Sequence, residues 1–255
     1  MTDGADSGAA PHGLGWRIGW TLAGFAPYLA VSAVQLVTKF TKDSTLDAVT
    51  KGLEIPALAV GIGGVLLTTK RKPRTIVAAL LFIGLALSWV GDVALNSSLP
   101  LGLGAFLAAH AVYVALFQVA FRDRRRSRWT VLAIPWFVGL LVLLGPYLGG
   151  MLPVVALYGL VLGLMAVWST RGNPLTILGA LLFVASDSIL AFRLFTPMFP
   201  GDGWEFVVML TYLGAQALIA VGVLRNDQER LSRSSGNPVS SSMVDSPSSA
   251  NPQRS

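Results

Sequence analysis

The sequence predicts an all-α, polytopic membrane protein of eight transmembrane helices, on three observations. Of its 255 residues 53% are hydrophobic and only 13% charged, against about 25% charged in a soluble domain, and the mean hydropathy is +0.64. Eight apolar runs follow one another across short gaps, each close to the ~20 residues that a membrane-crossing helix needs. Clusters of Lys and Arg fall almost wholly in alternate gaps, as they do in cytoplasmic loops under the positive-inside rule.

The first run, Trp16–Val37, follows a polar segment (1–15) and lacks a short apolar core with a small-residue cleavage site, so it reads as an uncleaved span. The second, Leu53–Thr69, has Lys51 and Glu54 at its start. The third, Thr75–Leu95, carries Asp92, and the fourth, Leu99–Phe121, carries His110 and Tyr113. Only Gly149 and Gly150 separate the fifth, Trp129–Leu148, from the sixth, Met151–Trp168, which leaves a single broken hairpin open as an alternative. The seventh, Pro174–Phe195, carries Asp187 and Arg193, and the eighth, Glu205–Leu224, carries Tyr212 and Gln216. Residues 16–225 thus form the expected transmembrane domain, and 226–255 a disordered Ser-rich tail. The glycines of Gly61–Gly64, and Gly159 with Gly163, are read as close helix packing.

Lys70–Arg74 holds four basic residues and Arg122–Arg128 five, and Arg171, Arg225, Arg230 and Arg233 follow later spans of the same parity. The opposite gaps, 96–100, 149–150 and 196–204, have none, and only the first outer gap departs from the pattern, with Lys39, Lys42 and Lys51. Both termini are therefore expected in the cytoplasm, and the protein in the plasma (inner) membrane.

With this placement, the net charge of +6 gives no reason to expect a nucleic-acid partner. The absence of Cys removes thiol nucleophiles and disulfides, and two His residues make a multi-His metal site an unsuitable reading. No Gly-x-Ser-x-Gly elbow, phosphate-binding loop or His-Glu-x-x-His occurs. No metal or organic cofactor is expected.

A charged group inside a span costs at least about 2.5 kcal/mol at the helix centre, so each one calls for a reason. At 1.5 Å per residue from the basic loops, Asp92 lies roughly 27 Å up, Asp187 and Glu54 about 24 Å, Tyr212 about 20 Å, His110 about 18 Å and Gln216 about 14 Å. Nearly all therefore fall in the outer half of a hydrocarbon core about 30 Å thick, as a polar pocket open towards the outer leaflet would require. Lys51, Arg193 and Glu54 also suit snorkelling at the interface. His110 and Gln216 suit interhelical hydrogen bonds, and Tyr113 and Tyr212 packing. Two intramembrane aspartates, by contrast, suggest function by default. The third and seventh runs share Ala-Leu-Leu-Phe (79–82 and 180–183) ahead of Asp92 and Asp187, and each is followed by a span with a central Tyr. A parallel repeat of four helices and four is one reading of this, chance similarity between Leu-rich helices the other.

Four stretches in fixed order resemble the YhhN family of integral-membrane lysoplasmalogenases: Ser88-Trp-Val-Gly-Asp92-Val-Ala-Leu, Gly102 to Phe117 with His110 and Tyr113, Gly179 to Ala191 with Asp187, and Thr211-Tyr212-Leu-Gly-Ala-Gln216. The resemblance runs from about Lys51 to Gly222. It departs where the family shows Lys-Pro, since Lys51 is followed by Gly52, although Pro56 matches a later family proline. It implies an eight-helix hydrolase that splits the vinyl-ether bond of a lysoplasmalogen, releasing a fatty aldehyde and glycerophosphoethanolamine or glycerophosphocholine, with Asp92 and Asp187 as the catalytic acids.

That chemistry suits an acid pair, since it needs a proton on the alkene carbon and a carboxylate near the resulting oxocarbenium ion, as glycoside hydrolysis does. One aspartate is expected as general acid and the other as the base that activates water. Lys51 and Arg193 would hold the phosphate of the lysophospholipid, and Glu54, His110, Tyr113, Tyr212 and Gln216 would complete the substrate site among the membrane lipids. Two alternatives use the same aspartates, a proton-coupled transporter and a lipid-binding membrane protein. An intramembrane aspartyl protease lacks its companion motifs.

Overall fold

The computed structural model describes residues 13–41, 43–69, 72–125 and 127–235, and of residues 13–23 and 231–235 only the backbone. The segment 1–12 and the tail beyond 235 lie outside the described residues. Within them all regular structure is helical: α1 (Gly13–Thr41), α2 (Ser44–Thr68), α3 (Thr75–Leu95), α4 (Leu99–Ala120), α5 (Ala133–Leu148), α6 (Leu152–Ser169), α7 (Pro174–Phe195) and α8 (Asp202–Ser235), with short 3-10 turns at Arg128–Leu132 and Gly149–Met151.

Local chemistry explains most boundaries. Asp43 caps α2 by accepting from the Leu46 N–H at 2.9 Å, so the helix starts well before the apolar run and takes in Asp47, Lys51 and Glu54. Asn173 caps α7 in the same way, accepting from the Thr176 N–H at 3.0 Å, with Pro174 in the first turn. Gly149, at φ 48°, adopts a left-handed backbone that a side chain would resist. It ends α5, and α6 begins three residues on and packs back against it, so the two runs form a helical hairpin.

The helices pair most extensively as α1 with α2, α3 with α4 and α7 with α8, while α4 also meets α6, and α8 meets α1 and α3. α8 is the innermost: 61% of its apolar stretch is buried, against 28–39% for the others that were compared. Glycines set the closest approaches. A Cβ on Gly61 would stand 2.6 Å from the Gly24 carbonyl oxygen on α1, one on Gly84 2.5 Å from the Tyr113 ring, and one on Gly91 2.6 Å from the Phe106 ring. Gly63 and Gly64, read from sequence as packing residues, face open space, so Gly61 alone of that stretch serves a helix contact.

Six stretches of the described residues are long and apolar enough to cross a membrane, one of them, Arg128–Ser169, containing both α5 and α6. Their outward faces are apolar, with Leu67, Val60, Leu101 and Val142 all exposed, whereas Glu54, His110 and Gln216 are wholly buried. A water-soluble domain rarely exposes so continuous an apolar surface. The chain is an integral membrane protein, oily outside and polar at its centre.

Each end of the bundle is tied by polar bonds. At the basic-loop end, Asp227 accepts from the Arg74 backbone N–H at 2.6 Å and from its Nε at 2.7 Å, while Asn226 Nδ2 donates to the Ala120 carbonyl at 3.1 Å. α8 therefore continues past Leu224 with Asn226 and Asp227 buried, clasping the start of α3 and the end of α4. At the opposite end Lys39 Nζ donates to Asp47 at 2.5 Å and Glu205 at 2.9 Å, joining α1, α2 and α8. Lys39 is thus a buried, neutralised cation, which accounts for part of the departure from the loop-charge pattern.

Candidate active site

The aspartates reach the interior because they continue buried helical stripes. On α3 the buried positions are Val77, Leu81, Gly84, Leu85, Ser88, Gly91 and Asp92, and on α7 Thr176, Gly179, Ala180, Phe183, Ser186 and Asp187. The three- and four-residue spacing of a single helix face carries each carboxyl inward at the end of an apolar stripe.

Each carboxyl meets a tyrosine from another helix. Tyr212 of α8 donates to Asp92 Oδ2 at 2.6 Å, and Tyr158 of α6 donates to Asp187 Oδ2 at 2.5 Å. Both bonds are as short as charge-assisted O–H···O contacts. Asp92 is 3% exposed and Asp187 8%. The two carboxyls lie within electrostatic reach of one another, yet no hydrogen bond joins them among the described residues.

His110 Nε2 stands 3.4 Å from the same Asp187 oxygen, out of line for a hydrogen bond, and neither ring nitrogen has a hydrogen-bond partner. Its ring meets Phe183 edge-on, 4.7 Å between centroids, and Phe183 in turn meets Tyr212 at 5.5 Å. Deeper in the bundle, Tyr113 donates to Gln216 Oε1 at 2.7 Å, leaving Gln216 Nε2 buried and unpaired. Glu54 of α2 is 0% exposed, with neither carboxyl oxygen hydrogen-bonded, and lies within electrostatic reach of Asp92 and Lys51.

The two basic residues sit at the end of the bundle remote from the Arg-rich loops. Lys51, three residues before Glu54 and half-buried, donates to Asn96 Oδ1 at 3.3 Å, and its charge reaches Asp92. Arg193 donates to the Gly201 and Phe199 carbonyls at 2.7 and 3.2 Å and lies 3.6 Å from Glu205, so it braces the turn between α7 and α8. Asp92, Asp187, His110, Tyr212 and Glu54 therefore form one buried neighbourhood, Tyr113 and Gln216 a layer beneath it, and Arg193 stands at the rim.

Sequence reasoning missed Tyr158, the hydrogen-bond partner of Asp187, as well as Tyr28, whose hydroxyl donates to the Leu213 carbonyl at 2.7 Å, and the buried, unpaired Ser88. A tyrosine in mid-span, the signal that singled out Tyr113 and Tyr212, would have found both of the others. Among the described residues, no group of three or more His, Asp or Glu is arranged to hold a metal ion.

Comparison with known proteins gives these residues a lineage. Lysoplasmalogenase TMEM86B of Homo sapiens is 34% identical over 156 residues, covering 56% of this chain and 62% of that protein. Its counterpart of the same name in Mus musculus is 35% identical over 144 residues, with the same coverage. A protein named lysoplasmalogenase from Mycobacterium bovis is 29% identical over 230 residues, covering 82% of this chain and 83% of its own length. The chain thus spans less than two thirds of the human and mouse relatives. No solved structure matches it. The YhhN family model matches residues 46–223, a stretch that holds both aspartates, Tyr158 and Tyr212, and the chain belongs to the YhhN family.

Proposed function

We propose that this protein is a lysoplasmalogenase, a membrane hydrolase that cleaves the vinyl-ether bond of a lysophospholipid to give a fatty aldehyde and glycerophosphoethanolamine or glycerophosphocholine. The observation that carries the reading is the pair of buried aspartates on α3 and α7, each held through Oδ2 by a tyrosine of another helix. The names of the relatives from man, mouse and mycobacterium agree with it.

One aspartic acid protonates the alkene carbon remote from the ether oxygen, and the double-bond electrons form the new C–H bond. The carbon that bears the oxygen becomes an oxocarbenium ion, which the other carboxylate stabilises while taking a proton from the attacking water. The hemiacetal then collapses. Its hydroxyl proton returns to the first aspartate, the second gives its proton to the departing glycerol oxygen, and the aldehyde carbonyl forms. Water is consumed and both acids regain their starting states. Tyr158 and Tyr212 orient the carboxyls, and His110, Tyr113 and Gln216 line the inner wall. Lys51 and Arg193 face the phosphate from the rim, where charge-assisted bonds to an anion are strong.

Eight crossings complete the reading: the six long apolar stretches become seven where Gly149 divides Arg128–Ser169, and α1 is taken as the eighth. Both termini then lie on the basic-loop side, the cytoplasmic face of the plasma membrane, flanking a transmembrane domain whose last helix runs on through Asn226 and Asp227, with the Ser-rich segment following it. The pairs α1–α2 and α3–α4 have counterparts in α5–α6 and α7–α8, which supports a four-plus-four parallel repeat.

Purified protein in detergent should release free aldehyde from a lysoplasmalogen, and Asp92→Asn and Asp187→Asn should each abolish release while leaving the melting temperature near wild type. Full activity in either variant removes the carboxyl mechanism. Substrate-dependent proton flux in liposomes without bond cleavage would mark a carrier instead.

A further inference from the structure

Among the described residues Glu54 is the one buried carboxyl that neither the hydrolytic steps nor a hydrogen bond employs. It lies at the start of the apolar part of α2, wholly buried, with both oxygens lacking a hydrogen-bond partner. The three other buried acids among the described residues are all bonded: Asp92 to Tyr212, Asp187 to Tyr158, and Asp227 to Arg74. Burying a carboxyl without partners is costly, and such a group is retained where something supplies the missing bond. Tyr28 and Asp92 lie within its electrostatic reach, so a ligand that satisfies it comes within reach of the Asp92 charge as well.

The order of groups along α2 identifies that ligand's chemistry. Lys51 and Glu54 are three residues apart on one helix, which places them on the same face with about 5–6 Å between Cβ atoms. Lys51 lies nearer the membrane surface and half-buried, Glu54 deeper and within electrostatic reach of Asp92. A glycerophospholipid presents its groups in the same order: phosphate on one glycerol carbon, a hydroxyl or ester on the next, and the ether oxygen on the third. With the ether bond at the aspartates and the phosphate at Lys51, the middle position falls at Glu54.

We infer that Glu54 accepts a hydrogen bond from the free middle hydroxyl of a lysophospholipid, and that this bond makes the site select lysolipids over their acylated or deoxy counterparts. An ester at that position has no proton to donate, and would leave the buried carboxyl unsatisfied as well as crowd it. The selectivity therefore comes from the orphaned acid, in the way that a site built to bond a hydroxyl rejects the analogue lacking it. The inference rests on the lysoplasmalogenase reading for the identity of the lipid, and its test is independent of turnover.

The probes are two uncleavable lipids, a 1-O-alkyl-glycero-3-phosphoethanolamine and its 2-deoxy analogue, titrated against the purified full-length chain in detergent. Wild type should bind the hydroxylated lipid about ten- to a hundred-fold more tightly. Glu54→Leu should bring the two affinities together by weakening only the hydroxylated lipid, with an unchanged or raised melting temperature, since it removes a buried unpaired acid. Glu54→Gln, which keeps an acceptor oxygen, should retain most of the preference. Equal binding of the two lipids by wild type overturns the inference, as does a preference that survives in Glu54→Leu, or a variant that weakens both lipids equally. Aldehyde release is scored separately: a wild type that discriminates between the lipids yet cleaves no vinyl ether upholds the hydroxyl site and sinks the hydrolase reading alone.

Discussion

Replacing Tyr158 with Phe removes one oxygen atom and, with it, the 2.5 Å bond that holds Asp187 Oδ2. The ring remains, so its edge contact with His110, 5.4 Å between centroids, is preserved. A hydrogen bond to a charged group contributes about 1.5–3 kcal/mol, because the alternative is a buried carboxyl short of a donor. Nothing among the described residues stands ready to replace it, as His110 Nε2 at 3.4 Å is poorly aligned. At about 1.4 kcal/mol per tenfold change, Tyr158→Phe should lower kcat/KM by about ten- to a hundred-fold. The assay is aldehyde release from a lysoplasmalogen, coupled to a dehydrogenase and followed optically, with thermal unfolding recorded alongside. Wild-type kcat/KM in Tyr158→Phe would refute the role assigned to this tyrosine.

Three further outcomes follow from the packing. Asp227→Ala should destabilise the protein by about 2–3 kcal/mol, read as a lower melting temperature in detergent, because it strips the Arg74 backbone and guanidinium of their shared acceptor. Gly61→Ala should cost about 1–3 kcal/mol, since the new methyl meets the Gly24 backbone rather than a side chain that can turn away; an unchanged melting temperature would contradict the α1–α2 contact. Lys39→Met should also lower the melting temperature, by leaving Asp47 and Glu205 without their common cation, and a further Asp47→Asn change should recover part of the loss.

The legible parts of this chain are those where hydropathy and tertiary role coincide. α3 and α7 match their apolar runs because each opens on a long stretch free of charge, and Asp92 and Asp187 are conspicuous as the single acid in each. α2 begins earlier than its apolar run because Asp47 is held by Lys39 from α1, and the hydropathy of one segment carries no record of a partner on another. α8 runs on past Leu224 for a like reason, as Asn226 and Asp227 read as loop residues until Ala120 and Arg74 are seen beside them. Tyr158 is a mid-span tyrosine like Tyr113 and Tyr212, but that its hydroxyl serves Asp187 shows only once the neighbouring helix is placed beside it. Arg193 reads as a phosphate ligand from its position alone, yet much of its donor capacity is spent on the Phe199 and Gly201 carbonyls.

The ring of Phe183, wedged between His110 on one side and Tyr212 on the other, has no atom able to carry a proton. Among the described residues no side-chain hydrogen bond joins Asp187 and its Tyr158 to Asp92 and its Tyr212. Any hydrogen ion that moves between the two acids during a catalytic cycle must therefore ride on the lipid's own oxygen or on a solvent molecule admitted with it.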